Sequence, residues 1–166
     1  MHPQLRAPQH ADATWLLAAL NDAQTNHALV DLPHPYPKSF VPEFWLDDTQ
    51  PLLQFVWLYN QQPIGYIWCA VSDNDDNADQ NAELSFLLHR NLLGQGLGLA
   101  QLPHIFKWLA PHMQQNFSTT NISAHVRPSN MAAQAVLGAC GFELAVTAAH
   151  STLHGQDLLQ TWQFNY

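Results

Sequence analysis

Apolar positions change their period along this chain, and each change marks an element. Over 12–21, Trp15, Leu16, Ala19 and Leu20 recur at helical spacing, which predicts a first helix. Residues 31–39 hold three prolines and are expected as an extended loop, because proline fixes φ and removes a donor. Residues 40–47 read as a short second helix. Residues 52–59 and 64–71 are rich in aromatic and β-branched side chains. They are separated by Asn60-Gln61-Gln62-Pro63, so they are expected to pair antiparallel. Residues 83–88 read as another strand. The period then lengthens, with Gly98, Leu102, Ile105 and Leu109 predicting a helix over 95–112. Ile122, Ala124 and Val126 alternate as a strand over 121–126. Residues 130–140 read as a helix of small residues, with Ser129 or Asn130 as N-cap and Gly141-Phe142 as its stop. Strands over 143–150 and 158–164 close the chain. The order ααβββαβαββ describes a mixed sheet with helices on its faces. Pro103 falls inside the long helix and deletes a hydrogen bond, so a kink or an irregular turn is expected near 99–103.

Composition narrows the class. The 166 residues are 47% apolar, which fits one domain over 1–166 with its own core. No basic segment leads into an apolar run at the start, and no apolar stretch approaches about 18 residues, so a cytoplasmic protein is expected. Cys69 and Cys140 lie far apart with no CxxC and are expected as free thiols. The net charge of -8, with only five Lys and Arg, argues against nucleic acid as a partner. A negative field steers a cationic acceptor, although it equally serves to keep a protein soluble. Ten histidines raise the question of a metal. HExxH is absent and no Cys/His quartet has zinc spacing. His150 and His154 sit in a strand and turn, so no metal site is expected. The acidic, polar stretch 72–81 reads as an exposed loop. Nothing here separates a monomer from a homodimer.

One stretch carries chemistry. The strand Glu83-Leu84-Ser85-Phe86-Leu87-Leu88 leads to Asn91-Leu92-Leu93-Gly94-Gln95-Gly96-Leu97-Gly98, and the glycines open a helix. Such a turn aims unpaired N–H groups and the positive helix end at one point, which suits an anion. The spacing is not GxGxxG, because counting from Gly94 ends on Leu99 and counting from Gly96 ends on Gln101. No GK[ST] string follows either. The glycines alone fit a tight strand-to-helix turn as well as an anion site.

Asn91-Leu92-Leu93-Gly94-Gln95-Gly96 resembles the pyrophosphate loop of the GNAT acetyltransferases, Arg/Gln-x-x-Gly-x-Gly/Ala, with Asn91 in place of Arg or Gln. Val126-Arg127-Pro128-Ser129-Asn130, the following helix and Gly141-Phe142 are similar to that family's second signature, in which the Asn contacts the pantetheine arm. Leu32-Pro33-His34-Pro35-Tyr36-Pro37 resembles the proline-rich loop of the ribosomal-protein alanine N-acetyltransferase branch. The resemblance implies an α/β fold: a mixed, mostly antiparallel central sheet of about seven strands flanked by about four helices. It implies acetyl-CoA as co-substrate, held by Leu87, Leu88, Asn91, Gly94, Gln95, Gly96, Leu97, Gly98, Leu99 and Asn130. It further implies direct attack on the thioester by an amine, either a small molecule or a peptide, in a ternary complex. Glu83 lies on the strand where several members carry a catalytic glutamate and is the candidate base. His125 is the alternative.

The proton donor for the leaving thiolate is the gap. Leu137 stands where many members have Tyr, and Ala133 where the branch often has Ser. Ser129, Ser85 and Cys140 are the remaining donors. This departure keeps open a non-catalytic acyl-CoA-binding or interaction module on the same fold. Tyr36, Phe40, Trp45, Trp57, Trp68 and Trp162 are placed to line an acceptor pocket, or else belong to the core.

Overall fold

A two-residue turn shows how local sequence sets the sheet. Asn60 and Gln61 both adopt left-handed backbone, with φ of 49° and 64°. This is the twist that a tight antiparallel hairpin needs. They join β2 (Leu52–Tyr59) to β3 (Gln62–Ser72). The hairpin is therefore tighter than the four-residue connection the sequence suggests. The computed structural model describes residues 4–30, 32–37, 52–72 and 80–166.

The elements are β1 (Gln4–Arg6), α1 (Ala13–Asn21), α2 (Ala23–Ala28), β2, β3, β4 (Gln80–Leu88), α3 (Leu97–Phe117), β5 (Thr119–Val126), α4 (Met131–Ala139), β6 (Glu143–Thr152) and β7 (Gly155–Asn165). Short 3-10 turns precede α1, at His10–Asp12, and follow β4, at Arg90–Leu92. The seven strands form one sheet in the order β1-β2-β3-β4-β5-β7-β6. Every neighbouring pair is antiparallel except β4 and β5. A parallel step needs a crossover, and α3 supplies it. The expected mixed, mostly antiparallel seven-stranded sheet with four helices is what forms.

Alternation along the strands separates two cores. Trp57, Ile67, Ala82, Leu84, Ile122 and Ala124 face α3 and α4, where Leu102, Ile105, Leu109, Met113 and Leu137 complete the larger core. Val56, Leu58, Tyr66 and Leu87 face the other way and pack with Leu16 and Leu20 of α1 and with Tyr36.

Several details differ from the pattern reading. β1 and α2 were not foreseen. Three residues are too short to show a period, and Ala23–Ala28 (AQTNHA) carries no apolar stripe. The helix expected over 40–47, the side chains of Phe40 and Trp45, and the acidic residues 73–79 lie outside the described residues. The irregular turn expected near 99–103 does not form: α3 is helical from Leu97 to Phe117, through both Pro103 and Pro111. Pro103 cannot donate to the Leu99 carbonyl, and Leu99 is an exposed residue. Among the described residues, no helix is long and apolar enough to cross a membrane.

Candidate active site

The site originates in a parting of strands. β4 and β5 pair only as far as Glu83 opposite Ser123. Both strands run on, to Leu88 and Val126, without each other. Between them opens a cleft of about 500 Å³.

At one end stands the start of α3. Gly94 and Gly96 have φ of 75° and 74°, a conformation that a side chain would strain. A Cβ built on either glycine would meet no atom within 4 Å, so both face open space. Gly96 caps the helix, and the first helical bond runs from the Ala100 N–H to the Gly96 carbonyl at 3.0 Å. The N–H groups of Leu97, Gly98 and Leu99 therefore lie ahead of the ladder, at the positive end of a helix 21 residues long. Gly98 has a different reason to be glycine. A Cβ there would sit 3.3 Å from Val136 Cγ2, so it lets α3 and α4 approach closely.

The start of α4, packed beside that of α3, also lines the cleft. Asn130 is its N-cap, and the side chain accepts from the Ala133 N–H at 3.1 Å. Gln134 Nε2 donates to the Pro128 carbonyl at 2.8 Å, which fixes the turn before the helix.

Of the residues expected to touch acetyl-CoA, Leu87, Leu88, Gly94, Gly96, Leu97, Gly98, Leu99 and Asn130 line this one cleft. Asn91 and Gln95 do not line it. The Gln95 side-chain amide donates to the Asn91 carbonyl at 2.9 Å, so this pair braces the loop. Both candidate bases, Glu83 and His125, line the cleft. His125 Nδ1 is 3.2 Å from Thr161 Oγ1, and its ring centre is 5.2 Å from that of His150.

With this geometry in place, the comparisons are direct. A profile for the acetyltransferase (GNAT) domain matches residues 4–143. The chain belongs to the GNAT acetyltransferase family. By that membership it is an acyltransferase. Solved structures with the same fold include aminoglycoside acetyltransferase AAC(6')-Ib in complex with ribostamycin and coenzyme A. That match has TM-score 0.73 and 21% identity and covers 97% of this chain and 93% of that one. They also include spermidine N-acetyltransferase from Vibrio cholerae in complex with CoA and spermine, at TM-score 0.77 and 16% identity, covering 99% and 95%. RimL, the ribosomal L7/L12 alpha-N-protein acetyltransferase, in complex with coenzyme A, matches at TM-score 0.75 and 15% identity, covering 99% and 94%. No curated protein matches the chain.

In this GNAT chain the two departures at the proton-donor positions have different structural settings. Leu137 is wholly buried in the larger core and is not part of the cleft wall, whereas Ala133 lines the cleft. Of the other donors considered, only Ser85 lines the cleft. Ser129 is exposed elsewhere, and Cys140 is buried. Burial pushes the thiols of Cys69 and Cys140 up to about 12, so both stay protonated at neutral pH. Among the described residues, no three His, Cys, Asp or Glu side chains gather as metal ligands.

The third wall is one that the sequence did not reveal. Gln24, Thr25, Ala28, Leu29 and Val30, from α2 and the residue pair after it, also line the cleft. Side-chain ties hold this segment. Asp22 caps α2 by accepting from the Thr25 N–H at 3.0 Å and pairs with Arg90 at 2.7 Å. The Thr25 N–H, against the cost of desolvation and with help from Arg90, holds the Asp22 carboxyl below the usual range. Arg127, at the end of β5, donates to the carbonyls of His27 and Leu29 and pairs with Asp157 at 2.8 Å. Asn26 donates to the carbonyls of Leu20 and Pro33, both at 3.1 Å, and His154 Nε2 lies 2.8 Å from the Leu32 carbonyl. The Asp22-x-x-Thr25 cap was a readable signal for this helix. The ties made by Arg127 were not, because their partners are backbone carbonyls distant in sequence.

Of the aromatic residues expected at an acceptor pocket, Trp57 is the only described one that lines the cleft. Even this ring is 1% exposed, with Nε1 donating to Gln101 Oε1 at 2.8 Å. Tyr36 is buried in the smaller core, and Trp68 and Trp162 pack against the cores.

Proposed function

We propose that this chain moves the acetyl group of acetyl-CoA to a primary amine, with Glu83 taking the proton from the amine. The observation that carries the reading is the parting of β4 and β5 directly after Glu83. It gives one cleft, with backbone donors at one end and a carboxylate where the strands separate. The open space over Gly94 and Gly96 and the free N–H groups of Leu97, Gly98 and Leu99 fit a pyrophosphate, which needs close backbone approach and positive potential. Leu87, Leu88 and Asn130 line the stretch suited to the pantetheine arm.

The chemistry follows from these positions. The amine nitrogen forms a bond to the thioester carbonyl carbon, the carbon–sulfur bond breaks, and the thiolate leaves with the electron pair. The amine must lose a proton. Glu83 is exposed at the cleft, so it acts directly or through one water. His125, held by Thr161, is the second group able to accept a proton there. The thiolate takes its proton from Ser85 or from water, since Ala133 offers none.

The absence of a donor at Ala133 and Leu137 favours one rival, an acyl-CoA-binding module without turnover. Glu83→Gln separates the two. Under the catalytic reading it lowers kcat by about 10²–10⁴-fold while leaving the acetyl-CoA dissociation constant unchanged. If wild type and variant both bind acetyl-CoA and neither releases thiol with any amine, the module reading stands.

A further inference from the structure

We propose that Arg127 is a positioning residue for the acceptor amine: it fixes the α2 segment relative to β5 and so sets where the amine stands beside Glu83 and His125. This rests on the acetyl-transfer reading and adds to it the residue that holds a wall for the second substrate.

Alternation along β5 gives Arg127 its direction. Ile122, Ala124 and Val126 point into the larger core, so His125 and Arg127 project from the opposite face. His125 lines the cleft, and Arg127 reaches α2. The backbone at this point is held too: the Asn130 N–H donates to the Arg127 carbonyl at 2.9 Å, and Pro128 fixes the next φ. The guanidinium donates to the carbonyls of His27 and Leu29, the latter at 3.2 Å, and pairs with Asp157 at 2.8 Å. His27 lies in the last turn of α2 and Leu29 is its C-cap, positions whose carbonyls a helix leaves unpaired. The Arg127 bond, against the cost of desolvation, holds the Asp157 carboxyl below its usual range, so this pair is charged at neutral pH. Ala28, Leu29 and Val30 line the cleft, and so do Ala124, His125 and Val126. Arg127 therefore joins two linings of one cleft without lining it itself.

α2 has a second footing. Its N-cap, Asp22, pairs with Arg90 of the turn after β4 at 2.7 Å. The helix thus spans the parted strands, tied beyond β4 at its start and to the end of β5 at its finish. The two footings are unequal. The Arg90 side chain is 64% exposed, and water screens its ion pair. The Arg127 side chain is 12% exposed and makes its bonds in a fork that a guanidinium alone provides. The position of α2 is therefore set chiefly from β5, the strand that carries His125.

The test compares wild type with Arg127→Met, Arg127→Lys and Arg90→Met. Each is assayed for thiol release from acetyl-CoA with phenylethylamine, spermidine, kanamycin and an alanine-initiated peptide, for acetyl-CoA affinity by calorimetry, and for chemical unfolding. Arg127→Met keeps an aliphatic stem and removes the fork. It is expected to raise KM for the amine that wild type uses best by at least about tenfold, the equivalent of one hydrogen bond to a charged group. Its acetyl-CoA dissociation constant is expected to stay within about twofold of wild type, because the coenzyme is held by main chain at α3. Arg127→Lys keeps the charge without the fork, so it is expected to retain more stability than Arg127→Met and still to raise KM by about threefold or more. Arg90→Met is expected to change KM by less than about twofold. Lost stability with KM unchanged in both Arg127 variants makes the residue structural only and overturns the proposal while leaving acetyl transfer standing. An equal rise in the acetyl-CoA dissociation constant, or an Arg90→Met effect as large as that of Arg127→Met, overturns it in the same way. If Arg127→Met does not fold, Arg127→Lys decides on the same readouts. Wild type that binds acetyl-CoA yet releases thiol with none of the four amines overturns acetyl transfer and this proposal together.

Discussion

The two faces of the sheet are held together by different forces. On the face carrying α3 and α4, a large core of apolar side chains does the work, and the start of α3 presents main chain to the cleft: left-handed glycines and the N–H groups of a helix start. On the face carrying α1, α2 and the 32–37 loop, the core is smaller, and individual polar side chains supply the ties. Asn21 bonds both the carbonyl and the N–H of Tyr36, at 3.2 and 2.7 Å, Asn26 bonds two carbonyls, and Arg6 forks onto Asp12 at 2.6 and 2.8 Å. The first construction is tolerant of side-chain identity wherever the glycines and the apolar pattern persist. The second changes with single residues.

Paired truncations put numbers on that contrast. Leu137→Ala removes a wholly buried side chain from the larger core and is expected to destabilise the fold by about 2–5 kcal/mol, read by chemical unfolding. Asn26→Ala removes two hydrogen bonds on the other face and is expected to lose about 1–2 kcal/mol. Asn26→Ala is also expected to raise KM for the amine if the α2 segment that Asn26 anchors contacts it, as we propose, whereas Leu137→Ala leaves KM unchanged. Equal losses, or a KM effect from Leu137→Ala alone, would break the comparison.

Gly96→Ala tests the backbone construction. Left-handed geometry strains any side chain by about 1–2 kcal/mol, and the added methyl projects into the open cleft. Acetyl-CoA affinity is expected to fall about tenfold, with amine preference unchanged. An unaltered affinity would mean that the glycine loop is a turn and no more.

The smallest effect is one of pH. The Arg6 fork, against the cost of burial and aided by Trp15 and the Gln9 N–H, holds the Asp12 carboxyl at about 2. A carboxylate depressed in the folded state stabilises it above the unfolded value of about 3.9, and that contribution fades as pH falls through the folded value. Asp12→Asn is therefore expected to lose on the order of 1–2 kcal/mol at pH 7, after allowance for the partly exposed Arg6, and its deficit against wild type should shrink between pH 4 and about 2. A deficit that does not change with pH would remove the ion pair from the account.

The contrast also explains what could be read from the chain. The strands flanking α3, the helix itself and α4 declare themselves through their apolar period, and Gly94-x-Gly96 marks the turn that leads into the cleft. Leu87, Leu88, Gly98 and Asn130 were expected at the cleft through the resemblance of the two motifs to the GNAT signatures, not through the apolar period. The α2 wall was not legible. α2 is six residues without an apolar stripe, and what holds it in place is Arg127, whose bonds to the His27 and Leu29 carbonyls leave no trace in local sequence. The tryptophans left two readings open, pocket or core. Trp57 is sealed against Gln101, and Trp68 and Trp162 pack against the cores. At Pro103 the expected irregular turn does not appear, and α3 stays helical from Leu97 to Phe117.

Thermal and chemical unfolding of the purified protein, with and without acetyl-CoA, tests the central claim most directly. A cleft built for this co-substrate predicts stabilisation of about 2.7 kcal/mol at a hundredfold excess over the dissociation constant, with one site per chain by calorimetry. Folded protein that shows no shift and no heat of binding at millimolar acetyl-CoA would contradict the account at its root.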